Sequence, residues 1–134
     1  METKGREIPA GNSREEIKVR DKAIKDFYAS WNANHPDKKM WNDDLHDYIH
    51  VRFLSIEETS EKAARQYEST LAVFRLSELL TKSKKVDEVE PKKGTKNQQP
   101  FVKILIMRLD KIKMTVGVQK SGNKIQYCIT ALGE

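Results

Sequence analysis

Cysteine is almost missing from this chain. Cys128 stands alone among 134 residues, so an internal disulfide and a cysteine-built zinc site are both excluded. Long apolar runs are missing too, and nothing approaches the ~20 residues that a membrane-spanning helix requires. The opening METKGREIPAGNSREE has no apolar core of the signal-peptide kind. Together these absences lead to the expectation of a cytoplasmic chain with no membrane segment. No internal repeat is visible, which argues against a solenoid or propeller. No cofactor-binding motif is present either, and no cofactor is expected. The length suits one compact core that buries roughly two-thirds of the unfolded surface, and it is too short for two large domains.

Acid and base are unevenly spread. Residues 1–81 carry 13 Lys+Arg against 15 Asp+Glu, a balance of −2, whereas residues 82–134 carry 12 against 5, a balance of +7. A basic patch attracts polyanions because each neutralised phosphate releases counterions. Lysines also keep loops and sheet edges soluble, so charge by itself does not name a ligand.

Residues 1–12 mix Gly, Pro and charge without a period and are expected to form a flexible tail ahead of one domain at 13–134. Ser13-Arg14-Glu15-Glu16 has the capping-box pattern, and Ile17, Ile24, Phe27, Tyr28 and Trp31 follow at helical spacing. Asn32, Asn34 and Pro36 end that helix. Residues 32–47 read as an ordered loop, in which Met40 and Trp41 are too apolar to lie free. In the run 48–54, Ile49, Val51 and Phe53 alternate with polar residues as in a strand. Ser55-Ile56-Glu57-Glu58 repeats the capping box and predicts one long helix to about Lys82. Its two apolar stripes lie on different faces, so it is either wrapped on two sides or broken near Arg75 to Ser77. The continuous helix is the expectation. Residues 83–100 have few apolar anchors and read as a flexible basic loop.

The clearest signal is the C-terminal FVKILIMRLDKIKMTVGVQKSGNKIQYCITA, Phe101 to Ala131. It predicts a three-stranded meander whose first strand is apolar on both faces. The expected fold is therefore α+β, with two main helices packed on a small antiparallel sheet in the order α-β-α-β-β-β.

Two short constellations bear on chemistry. His35-Pro36-Asp37-Lys38 resembles the loop of J-domain co-chaperones over four residues. A strand-like run follows where that family has a helix, and a helix-ending turn explains the residues. His46-Asp47-Tyr48-Ile49-His50 has zincin-like spacing, but on a strand positions i and i+4 lie about 13 Å apart, too far to share a metal. Asp43, Asp44 and Asp47 read as a polar loop, and no metal site is expected.

The run VRFLSIEETSEKAARQYESTLAVFRLSELL through the Lys-rich loop to KIKMTVGVQKSGNKIQYCITAL, about residues 48–132, resembles phage and conjugative-element domains associated with large polyvalent proteins. Several of these are grouped with the barnase, EndoU and RelE nuclease superfamily. The resemblance implies an α+β fold with helices on one face of an antiparallel sheet, and RNA as substrate or ligand. It carries over Thr130 as a site residue from the Ile-Thr-Ala ending. His50, beside Arg52, is the best-placed histidine, which makes His50, Arg52 and Thr130 the catalytic candidates, with activity itself left open. The nucleic-acid-binding candidates are Lys92, Lys93, Lys96, Arg108, Lys113, Lys120 and Lys124. The alternative is a protein-interaction module that uses a sheet edge or an exposed helix face over Ala72, Leu76 and Leu80.

Overall fold

A computed structural model describes residues 8–132. Helix α1 (Arg14–Asn34) starts at the capping box: Ser13 Oγ accepts from the Glu16 N–H at 3.1 Å, and Glu16 Oε1 accepts from the Ser13 N–H at 3.3 Å. Of the expected tail, residues 1–7 lie outside the described residues. The next few are tied down, because the buried Arg20 donates from Nη1 to the carbonyls of Pro9 and Gly11 at 2.6 and 2.8 Å.

Among the described residues six strands form one sheet: β1 (Lys39–Asn42), β2 (Asp47–His50), β3 (Lys84–Val89), β4 (Phe101–Leu109), β5 (Ile112–Gln119) and β6 (Lys124–Ala131), in the order β1-β2-β6-β5-β4-β3. The expected meander is β4-β5-β6. The sheet is mixed rather than antiparallel, because β2 joins β6 in parallel through Ile49 opposite Lys124 and His50 opposite Ile125. Two strands arise where loops were expected. The β1–β2 hairpin turns Met40 inward opposite Ile49 and leaves Trp41 outside. Strand β3 leaves no alternating pattern in the sequence because it is a sheet edge with all six residues exposed, so burial imposes none on it.

The expected long helix is three helices: α2 (Phe53–Ala63), α3 (Tyr67–Val73) and α4 (Leu76–Lys82). The strand expected over 48–54 stops at His50, and α2 begins two residues before the predicted cap. Ser55 sits inside the first turn, where its Oγ accepts from the Arg52 N–H at 3.0 Å. At the first break, Thr70 Oγ1 donates to the Ala63 carbonyl at 2.9 Å and Arg20 Nε donates to the Ala64 carbonyl at 2.8 Å. These bonds satisfy backbone groups that a continuous helix would have paired internally. Breaking lets both apolar stripes reach the core, which one straight rod could not do. As a result Ala72, Leu76 and Leu80 are buried, and the helix-face patch expected for a protein partner is not exposed.

The main core lies between the helices and one face of the sheet, around Ile24, Tyr28, Leu76, Leu79, Met107 and Met114. A buried polar chain ties the layers together: the Tyr28 hydroxyl donates to Gln126 Oε1 at 2.7 Å, and Gln126 Nε2 donates to Thr59 Oγ1 at 2.9 Å. Below its two-residue contact with β2, the edge of β6 is covered by α2 and α3. There the Ala131 N–H donates to Ser69 Oγ at 2.9 Å. No helix among the described residues is long and apolar enough to cross a membrane.

Candidate nucleic-acid interface

The face of the sheet turned away from the main core carries the basic residues. Strand alternation puts Ile104, Ile106 and Arg108 of β4 on this face, with Lys113 and Thr115 of β5 beside them. In β6 a bulge between the partners of Thr115 and Val116 changes the alternation. Ile129 therefore joins the main core, whereas Tyr127 packs with Phe101, Ile104 and Ile125 in a second, smaller cluster. Gly117 is what lets Phe101 lie flat on β5: a Cβ there would come 2.5 Å from the ring.

Register produces one row across four strands. Lys84 stands opposite Arg108, Arg108 opposite Lys113, and Lys113 opposite Thr130. The row spans about 14 Å at the ~4.8 Å strand spacing. Like charges directly opposite one another destabilise a sheet. Among the described residues none of the three cations takes part in an ion pair, whereas nearby Lys85, Lys103 and Arg75 do.

Beside the Lys113 end lies a cleft of about 310 Å³, bordered by Lys62, Glu90, Lys92, Lys113, Tyr127, Cys128 and Thr130. Lys62 comes from α2, where its Nζ lies 3.3 Å from the buried Glu58. Residues 90–100 wall the cleft and are ordered by their own contacts: Asn97 Nδ2 donates to Glu58 Oε2, and the Lys92 N–H donates to Gln98 Oε1 at 2.7 Å. Burial pushes the Cys128 thiol up to about 11, with Lys62 acting against the shift. The group is therefore a neutral thiol near pH 7, not a thiolate nucleophile. Burial also raises Tyr127, opposed by its hydrogen bond with Gln98 and reinforced by Glu58. The cleft thus offers ammonium and hydroxyl donors and suits an oxyanion better than a cation.

The predicted site residues are not brought to one place. Lys92, Lys113 and Thr130 meet at the cleft, and Arg108 extends the row. Lys93 and Lys96 are exposed on the wall, and Lys120 is exposed in the β5–β6 turn. Lys124 is engaged elsewhere, its Nζ 2.8 Å from Asp47 Oδ2. His50 pairs with Ile125, five residues from Thr130 along β6, which separates the two by about 17 Å at ~3.3 Å per residue. Arg52 stands just beyond β2 at the start of α2. Burial lowers the His50 pKa, and Arg52 and Lys39 lower it further against the pull of Asp47. His35 caps α1 and stacks on Trp31, with centroids 4.1 Å apart, as suits a helix-ending turn. Lys62 and Lys84 went unrecognised in the sequence, since only the fold brings an α2 lysine and an edge-strand lysine to this face. Among the described residues no three His, Cys, Asp or Glu side chains gather as a metal ion would need.

No protein-family model matches the chain, and neither a curated protein nor a solved structure matches it.

Proposed function

We propose that this is a small basic α+β domain that binds nucleic acid, RNA in preference, through the sheet face bearing the Lys84–Arg108–Lys113 row and the adjoining cleft. The observation that carries the proposal is the row itself: three cations in cross-strand register, none in an ion pair among the described residues, although Lys84 also borders a recess with Asp43 and Asp44. Mutual repulsion makes such a row costly to the free fold, and a line of phosphates relieves that cost. The resemblance to mobile-element domains grouped with RNA-cleaving proteins points the same way, and a cytoplasmic, phage-related origin belongs to this proposal. The function proposed is binding. With His50 and Thr130 about 17 Å apart, no single phosphodiester can touch both.

The test is fluorescence anisotropy with a labelled single-stranded RNA, comparing the natural chain with Arg108→Glu/Lys113→Glu and with Lys18→Glu on exposed α1 surface. The row variant is expected to bind at least about 10-fold more weakly, with Lys18→Glu unchanged. Equal losses in both variants would mean that net charge, not this face, does the binding.

A second function, pairing of a protein strand with the β3 edge, is favoured by the exposure of all six β3 residues. Against it, carboxylates already accept from two β3 amides: Asp44 from the Lys85 N–H at 2.9 Å, and Asp87 from the Glu88 N–H at 2.7 Å.

A further inference from the structure

The β1–β2 hairpin shows the solvent an aromatic surface that the fold does not need. Met40 and Ile49 anchor the hairpin in the core from its other side. Trp41 and Tyr48 face each other in register on the outer side, each 42% exposed, with ring centroids 5.3 Å apart at 82°. His46 sets a third ring 6.5 Å from Trp41 at 86°, and Lys39 Nζ stands 4.4 Å from the centroid of Tyr48. An indole and a phenol left in water side by side, with an ammonium next to them, mark a contact surface.

The surroundings select the partner. In the parallel β2–β6 pair, His50 shares a side with Ile125, and Tyr48 and Trp41 follow from it by strand alternation. The aromatic pair is thus directed to the same side of the sheet as the basic row. Of the nearby carboxylates, Asp47 pairs with Lys124, Asp44 accepts from the Lys85 N–H at 2.9 Å, and Asp43 and Asp44 border a recess with Lys82 and Lys84 at the turn of the hairpin. On the face shared with the basic row the two strands present Trp41, Tyr48 and Lys39, an aromatic and cationic combination that holds unpaired bases through their π-faces and the chain through its phosphates.

We infer that Trp41 and Tyr48 form a stacking site for an unpaired base of a single-stranded nucleic acid, with Lys39 placed for the neighbouring phosphate. The inference rests on the proposed nucleic-acid binding and adds to it a preference for unpaired bases.

Tryptophan fluorescence can read this site directly. The chain has two tryptophans, and Trp31 is buried, with its Nε1 donating to Ser77 Oγ at 2.8 Å, so an emission change on binding reports Trp41. The full chain is titrated with an oligouridylate and with an abasic ribose-phosphate chain of the same length. Quenching by the oligouridylate and not by the abasic chain is expected. Trp41→Ala should weaken oligouridylate binding roughly 5- to 100-fold and leave abasic binding within about 2-fold, while Trp41→Phe recovers part of the loss. A thermal melt of each variant checks the fold. Oligouridylate binding that is intact in Trp41→Ala, or that leaves the emission of the natural chain unchanged, overturns the stacking site while leaving the basic face standing. Failure of the natural chain to bind either polymer overturns the nucleic-acid proposal, and the stacking site with it.

Discussion

Burial holds the thiol proton of Cys128 up to about 11, opposed by the Lys62 ammonium and reinforced by the Glu58 carboxylate. The sign of the consequence follows. In the unfolded chain the thiol ionises near 9, while the folded chain keeps its proton, so stability is full below pH 9 and falls as pH rises toward 11. Tyr28 and Tyr127, also raised by burial, steepen the fall above pH 10. Urea unfolding at a series of alkaline pH values is expected to show a loss on the order of 1–2 kcal/mol from Cys128, absent in Cys128→Ala. A pH profile identical in the variant would mean that the thiol is not buried as described. The same protonation makes Cys128 slow to alkylate at pH 8 in the folded chain and fast in urea.

At the scale of elements, the helix breaks and the strand edges decide the architecture, and the first break is held by side chains from outside α2, one of them far away in the sequence. Thr70 answers the Ala63 carbonyl, and Arg20, 44 residues from Ala64, answers the next one. Thr70→Val keeps the volume and removes the donor, so it should cost about 1–2 kcal/mol in urea unfolding, with Lys22→Ala, in an exposed i,i+4 pair, costing close to nothing. Equal costs would show that the first break does not depend on this bond. This dependence on distant partners also explains what the sequence could and could not say. The capping box at Ser13 acts within four residues and was legible; the β4–β5–β6 meander was legible because burial imposes an apolar pattern on it. The breaks after Ala63 and Val73 carry no Gly or Pro to announce them, and β3 has no buried face to leave a pattern. Simple alternation puts Tyr127 on one face with Ile129, and only the bulge in β6 separates them. Lys113 and Thr130 could be named as candidates, but their being neighbours depends on register, as does the separation of His50 from Thr130.

Across the whole molecule the two faces of the sheet are divided between tasks. One face meets the helices and supplies the main core; the other holds a smaller apolar cluster, the basic row and, at the β1–β2 end, the aromatic pair. The C-terminal excess of positive charge thus becomes a placed feature, with Arg108 and Lys113 side by side on adjacent strands. Lys124 shows that sequence position alone does not assign a lysine to this task, since it ties β6 to the β1–β2 hairpin through Asp47. The most direct test of the central claim is the salt dependence of single-stranded RNA binding, measured by anisotropy between about 50 and 200 mM salt. If Arg108 and Lys113 each neutralise a phosphate, Arg108→Gln/Lys113→Gln should flatten the slope of log K against log salt by about 1.4. An unchanged slope in the double variant would contradict the account.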